Sequence, residues 1–407
     1  MSSDGKGPLG LHRNVFVLGL TSSVATFANT LWIFFFPLLL SQGGFAASAI
    51  GAVYALQTLL GAAVRVPVGA FVDSFGRKPA IVIGTLIPSL SVLVFAVSAN
   101  AVVYSAAFVF LTAFGGAFFG IGMGAMIFES STDKPATSFG AFTTMAGWAS
   151  IFAPFLGSMF FAEGSTKVFL ISSFLYAAAA AGRATLLKET LRRDRAAGDG
   201  DTKRDRNPLR DLRTLLKEVL SNRALLFLTA AYAIYNLFTD QISFVVPLYS
   251  VEVLRFNATQ VGILFSVFLL VDSQSRVLFG RLADRFGYAQ MIILSWAGEM
   301  AFMLAFIYST GYVTSLVLFA IWVAFGALDG PAVQALLGRI TKMETRGISV
   351  GAFDTVPMLL SVPSQLVSGV LFVLSPQLPF LANLAFGLAA LALFLIFVKG
   401  RSQFRAP

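Results

Sequence analysis

The chain contains no cysteine and only one histidine, and both shortages limit its chemistry. Without cysteine there is no disulfide, no thiolate metal site and no cysteine nucleophile. The histidine, His12, precedes the first apolar stretch, so a histidine-ligated metal centre is not expected. No nucleophile–base pair or phosphate-binding loop is recognisable either. We therefore expect a protein that needs no cofactor and is not an enzyme.

Charged residues are also scarce. They make up 12% of the 407 residues, whereas hydrophobic residues make up 57%. A water-soluble globule needs more polar surface than this, so the composition predicts a membrane protein. The apolar sequence divides into about twelve stretches, each near the ~20 residues that a helix needs to cross a bilayer. The predicted spans are 14–40, 49–72, 79–98, 101–127, 137–162, 166–187, 225–251, 258–281, 289–309, 312–337, 348–374 and 378–398.

The basic residues have a one-sided distribution. Nearly all of the 29 lysines and arginines lie in alternate loops that share a side with both termini. The other side holds Lys167 and Arg255, while Arg65, Arg183 and Arg276 lie within spans. Such an excess marks the cytoplasmic side of a membrane. We therefore predict a multi-pass plasma-membrane protein with both termini in the cytoplasm. The net charge of +9 then reflects the orientation of the chain in the membrane rather than nucleic-acid binding.

The two halves of the sequence repeat each other. The segment RVPVGAFVDSFGRK from Arg65 is matched by RVLFGRLADRFGYA from Arg276, and Gly115 and Gly326 keep the same offset. A repeat of this length indicates a duplicated half-protein rather than a solenoid unit. The predicted domains are an N-terminal six-helix bundle at 1–187, a charged cytoplasmic linker at 188–223 and a C-terminal six-helix bundle at 224–407.

The duplication, the predicted spans and the glycine–aspartate motif after spans two and eight together resemble the major facilitator superfamily. The resemblance implies an all-α membrane protein of two pseudo-symmetric six-helix bundles that transports a solute by alternating access. It also implies a cytoplasmic gate built from Gly69, Asp73, Gly76, Arg77 and Glu129 in the first copy and from Gly280, Asp284 and Arg285 in the second.

The two copies of the gate motif differ at one pair of positions. In the first copy the resemblance implies an ion pair between Arg77 and Glu129. In the second copy Tyr288 and Ile340 stand at these positions. Because both members of the pair are replaced together, we expect a weaker gate in the C-terminal half.

Ionisable residues inside membrane spans are costly, so each is a functional candidate. Arg65 and Arg276 are repeat mates whose guanidinium groups could clamp a small anion. The sequence around Arg65 resembles that of nitrate/nitrite porters, and Asp272 with Arg276 resembles a pair in monocarboxylate porters. The predicted substrate-binding residues are Arg65, Arg276, Asn29, Tyr235 and Asn236, and the predicted proton-coupling residues are Asp272, Asp240, Asp329 and Asp354.

Two further polar features accompany these candidates. The first span has a polar face with Thr21, Ser22 and Asn29; its hydroxyls can bond to their own helix, but the Asn29 amide needs an outside partner. Glu299 lies in the ninth span, which the resemblance places at the periphery, so we expect a structural role for it.

These residues predict proton–anion symport. Deprotonated Asp272 would neutralise Arg276 one helical turn away, and protonation would free the guanidinium for a substrate anion. Three alternatives remain open: a static Asp272–Arg276 pair, a proton-driven exporter of lipophilic or cationic drugs, and a non-transporting membrane receptor or enzyme. The 42 phenylalanines and the APFLG segment at 153–157 favour the exporter. The expected partners are a small-molecule substrate, protons and the lipid bilayer, with the chain acting as a monomer.

Overall fold

The computed structural model describes residues 11–98, 100–131, 135–162, 164–191, 222–237, 239, 243–341 and 346–399. Within these ranges, the side chains of 135–136, 162, 275–278, 280, 346–348, 351–352 and 354 are not described. Most of the predicted linker therefore lies outside the described residues.

The described residues form α-helices and one short 3-10 helix, with no β-strand among them. The helices are α1 (Arg13–Thr30), α2 (Phe36–Gln42), α3 (Ala47–Phe75), α4 (Arg77–Val97), α5 (Ala101–Ser130), α6 (Pro135–Ser150), α7 (Ala153–Ala162), α8 (Ser165–Leu186), α9 (Arg223–Asn236), α10 (Val245–Glu252), α11 (Ala258–Phe286), α12 (Tyr288–Ile307), α13 (Tyr312–Gly326), α14 (Asp329–Ile340), α15 (Arg346–Leu374) and α16 (Leu378–Lys399); the 3-10 helix is Ile33–Phe35. Helices are expected throughout because a membrane offers no water to bond with free backbone groups.

Ten helical segments of the described chain are long and apolar enough to cross a membrane. The two remaining predicted spans fall on α9 with α10 and on α11. Four predicted spans are each built from two helices: α1 and α2, α6 and α7, α9 and α10, and α13 and α14. The predicted all-α membrane fold is confirmed.

The chain divides into two compact units, and each has the same internal packing. One comprises 1–44, 56–205 and 261–266; the other comprises 45–55, 206–260 and 267–407. In the first unit α1 packs against α6 and α8, and α4 packs against α5 and α8. In the second, α9 packs against α15 and α16, and α12 packs against α13 and α16. The helices of the second set are the repeat mates of the first, as the duplication predicts.

A glycine with positive φ begins the matched helices α4 and α12. Gly76 has φ 112° and Gly287 has φ 92°. Residues with a Cβ rarely adopt this backbone conformation. Glycine therefore permits the sharp turn that brings the chain back into the membrane at both places. The turn places the motif residues at the polar ends of helices in both units.

Candidate functional site

The first gate motif is held by an ion pair. Arg77 Nε donates to Glu129 Oε1 at 3.0 Å, and a second guanidinium nitrogen lies 2.8 Å from the same oxygen. Asp73 is exposed and lies 3.7 Å from the guanidinium of Arg77. The expected Arg77–Glu129 pairing is therefore present, and it ties the start of α4 to the end of α5. The half-buried Gly69 lies one turn before Asp73 on α3.

Glu189, which sequence reasoning did not single out, joins this cluster. Its carboxylate accepts from the backbone N–H groups of Arg77 at 3.0 Å and Lys78 at 2.9 Å, at the N-terminus of α4. Partial burial disfavours the charged form, but these hydrogen bonds and those from Thr190 and Leu191 outweigh it, so the pKa of Glu189 is lowered. Glu189, three residues beyond the end of α8, thus caps α4, because a helix N-terminus has unpaired N–H donors.

The second gate motif has different contacts. The Tyr288 hydroxyl donates to Asp284 Oδ1 at 3.0 Å, and the Arg339 guanidinium lies 4.5 Å from the centre of the Tyr288 ring. Arg285 lies over the ring of Phe286 at 5.5 Å. The aromatic residue Tyr288 therefore stands at the motif position where the first copy has Arg77, the arginine of the ion pair. Only the backbone of Gly280 is described.

The second unit contains two cavities that share part of their lining. Their volumes are about 480 and 360 Å³, and Tyr232, Asp272 and Asp329 line both. The smaller one is also lined by Tyr235, Asn236 and Glu299. Four predicted site residues, namely Tyr235, Asn236, Asp272 and Asp329, are thus brought together. Glu299 joins them and is 5% exposed, and the structural role expected for it stays a prediction.

Aromatic side chains hold the two buried carboxyl groups of these cavities. Trp296 Nε1 donates to Asp329 Oδ2 at 3.0 Å, and Trp322 Nε1 donates to Glu299 Oε1 at 3.3 Å. The Tyr235 hydroxyl donates to Glu299 Oε2, and its ring stacks on Trp296 with centres 4.3 Å apart. In the described part of the chain, no lysine or arginine forms an ion pair with either carboxyl group.

Three predicted site residues have no described side chain. Asp240 falls outside the described residues, as do the side chains of Arg276 and Asp354. Their roles stay predictions. Asn236 Nδ2 donates to the Tyr232 carbonyl at 2.8 Å, a contact within α9.

The first unit contains a cavity of about 490 Å³ between its helices. Asn29, Trp32, Tyr176 and Arg183 are among the residues that line it. The amide of Asn29 has the outside partner it was expected to need, because the Tyr176 hydroxyl donates to Asn29 Oδ1 at 3.0 Å. Arg65, a predicted substrate-binding residue, is exposed on α3 and does not line the cavity.

Arg183 is a buried cation of the first unit and is 1% exposed. Its Nε donates to Thr21 Oγ1 at 3.1 Å, one terminal nitrogen donates to Ser22 Oγ at 2.7 Å, and the other donates to Thr85 Oγ1. The guanidinium also lies 4.4 Å from the centre of the Phe119 ring. The polar face of the first span is explained by this contact, because two of its hydroxyls hold a buried arginine.

Comparisons with known proteins agree with these observations. A family model described as the Major Facilitator Superfamily matches residues 18–271 and 242–405. An uncharacterized MFS-type transporter of Methanocaldococcus jannaschii is 24% identical over 379 residues, which cover 91% of both chains. Multidrug resistance protein 2 of Bacillus subtilis is 25% identical over 319 residues, which cover 77% of each.

A solved structure has a similar fold. The crystal structure of a mutant of the nucleoside transporter NupG aligns with a TM-score of 0.74 at 14% identity, over 93% of this chain and 99% of that one. At this identity the similarity shows the fold alone.

Proposed function

Since this chain belongs to the major facilitator superfamily and is therefore a membrane transporter, we propose that it couples solute movement to protons by alternating access, with a small organic or inorganic anion as its substrate. The observation that carries the coupling is the pair of buried carboxyl groups, Glu299 and Asp329, on the cavities of the second unit.

The surroundings of these carboxyl groups favour a proton as the coupling ion. A carboxylate within a membrane is costly unless it has a compensating charge. Glu299 and Asp329 receive hydrogen bonds from neutral indole and phenol groups, and no described lysine or arginine compensates them. Protonation removes this cost, and access to a cavity provides a route for the proton. Asp272, which is half-buried and lines the same cavities, is the third carboxyl group proposed to bind the coupled proton.

Charge distribution favours an anionic substrate. The first unit has a buried arginine on its cavity, and no aspartate or glutamate among the described residues lines that cavity. A substrate anion supplies the missing negative charge. Arg276, whose backbone lies in α11, is proposed to become available to an anion when Asp272 is protonated.

The proposal also covers the orientation of the chain in the membrane and the cytoplasmic gate. The excess of basic residues in alternate loops supports a plasma-membrane protein with cytoplasmic termini. The Arg77–Glu129 cluster then lies on the cytoplasmic side, where we assign it to the gate with the second motif. The chain is proposed to act as a monomer.

A second candidate function is proton-coupled export of lipophilic or cationic drugs. The cavity that holds Glu299 also has Phe268 and Trp322 on its wall, a combination of carboxyl and aromatic groups suited to organic cations. The similarity to multidrug resistance protein 2 points in the same direction.

Proton movement in proteoliposomes tests the coupling. Protein is reconstituted around a pH-sensitive dye, and phenylacetate, phosphate, nitrate and a lipophilic cation are added in turn. We expect an anion to change the internal pH, and Glu299→Gln and Asp329→Asn to abolish the change. Glu252→Gln serves as the matched control, since this exposed carboxylate on α10 lies outside the cavities. Solute flux that moves no protons would contradict the proposal, and a signal from the cation alone would favour the exporter.

A further inference from the structure

The first unit's cavity is lined by hydrogen-bond donors that have no described acceptor. A guanidinium group has five N–H donors. Arg183 directs three of its hydrogen bonds to hydroxyl groups, so donors remain on its terminal nitrogens. Asn29 uses its oxygen to accept from Tyr176, which leaves its amide N–H groups available. These donors belong to one cavity.

The indole of Trp32 adds an independent observation. The side chain is 1% exposed, and its Nε1–H finds no hydrogen-bond acceptor in the described part of the chain. An unsatisfied buried donor costs ~1–3 kcal/mol, so such groups are rare unless a ligand or water meets them. Trp32 lines the same cavity as Arg183 and Asn29.

The remaining wall of the cavity is mostly apolar. Pro88, Phe119, Met123 and Phe142 line it together with the hydroxyl side chains of Thr26, Ser91, Thr112 and Thr143, and no described carboxylate does. A ligand that suits these walls has an apolar body and carries acceptor oxygens with a negative charge. Inorganic anions satisfy the donors but leave the apolar wall without contacts.

We infer that this cavity binds the carboxylate of an aryl or alkyl organic acid, with Arg183, Trp32 and Asn29 as the groups that recognise it. The inference rests on the proposed transport of an anion and specifies both the site and the substrate class. Arg183 stays anchored by Thr21, Ser22 and Thr85 while its free donors meet the ligand, so the anchor positions the charge before binding.

Binding to purified protein in nanodiscs, without a pH gradient, tests this site separately from proton coupling. The probes are phenylacetate, its neutral counterpart phenylacetamide, and 2-phenylethylamine as the cation. We expect phenylacetate to raise the melting temperature and to bind at least tenfold more tightly than either counterpart, because only the carboxylate makes charge-assisted hydrogen bonds.

Substitutions then identify the residues. Arg183→Gln is expected to weaken phenylacetate binding roughly thirtyfold, and Trp32→Phe, which replaces the indole by a smaller aromatic ring without an N–H, about tenfold. Lys167→Gln is the control, because it removes an exposed positive charge in the same unit outside the cavity. If Arg183→Gln does not fold, Trp32→Phe decides alone.

The outcomes separate the two proposals. Phenylacetate binding that is equal to amide binding, or unchanged by Trp32→Phe, overturns the site assignment. If protons are coupled to a cation or a neutral solute and no carboxylate binds, the site assignment fails while proton coupling stands. Carboxylate binding with uncoupled transport leaves the site assignment standing and contradicts the coupling.

Discussion

Tyr235 connects the two buried carboxyl groups of the second unit, since its hydroxyl bonds to Glu299 and its ring stacks on the tryptophan that bonds to Asp329. Tyr235→Phe keeps the ring and removes only the donor. We expect proton-coupled transport to fall about tenfold and the stability to fall by ~1 kcal/mol, the usual net contribution of one hydrogen bond. Transport is measured in proteoliposomes and stability by thermal unfolding. Tyr312→Phe, which loses a hydroxyl bond to the Gln260 carbonyl outside the cavity, is the control and should leave transport unchanged.

Asp272 provides a second residue-scale prediction. It lines both cavities of the second unit, and Asp272→Asn fixes it in a neutral form. The variant is expected to exchange labelled substrate across the membrane but not to accumulate it against a gradient. Parallel exchange and accumulation assays distinguish the two, and accumulation at the wild-type level removes Asp272 from the coupling role.

Arg183 and Glu299 show what the sequence could not predict at this scale. The sequence places both inside spans, but the hydroxyls that hold Arg183 come from α1 and α4, far apart in sequence. Nothing in one sequence marks which helix faces meet. For Glu299, the span number alone did not show that its side chain lies beside Gly326 and Trp322 of α13 and lines a cavity.

At the scale of helices, the start of α4 depends on a carboxylate from outside that helix. Glu189→Ala leaves the Arg77 and Lys78 N–H groups without their acceptor. We expect a loss of ~0.5–2 kcal/mol in local stability, as for an N-cap residue. Faster hydrogen exchange at Arg77 and Lys78 measures it, with Tyr288 and Ala289 of the second copy as the internal control. Unchanged exchange at Arg77 and Lys78 would show that the cap contributes nothing.

The same cap has a defined pH dependence. The pKa of Glu189 is lowered in the folded protein, so its contribution is present above the ordinary glutamate pKa and is lost as pH falls through the lowered value. Protection of the Lys78 amide, corrected for intrinsic exchange, should therefore persist to acidic pH and then fall. In Glu189→Gln this acid transition should be missing.

Helix positions were largely predictable because the requirement to bury apolar side chains over a membrane's thickness constrains their length. The duplication was also readable, since repeated glycines mark matched turns. The breaks between α1 and α2 or α13 and α14 were not predicted. The break between α1 and α2 interrupts apolar sequence without a strong turn signal, so only tertiary packing reveals it, whereas the break between α13 and α14 lies at the turn signal GALDGP of 326–331, within what was predicted as one continuous span.

For the whole molecule, the Arg77–Glu129 pair is proposed to stabilise one state of the transport cycle. Glu129→Ala leaves Arg77 without its 2.8 Å partner and should shift the population toward the inward-open state. Because the chain has no cysteine, spin labels can be placed at the exposed positions by Ser74→Cys and Arg281→Cys without other changes. We expect longer label distances in the Glu129→Ala background. An unchanged distance distribution would remove this pair from the gate.

Coupling of transport to the carboxyl groups of the second unit is the central claim, and Glu299→Gln tests it most directly. Wild-type protein and the variant are reconstituted together with Glu252→Gln, and phenylacetate uptake is measured with and without an inward proton gradient. The account predicts that the gradient drives accumulation in the wild type and in Glu252→Gln, whereas Glu299→Gln equilibrates the substrate without accumulating it. Gradient-driven accumulation by Glu299→Gln at the wild-type level would contradict the account.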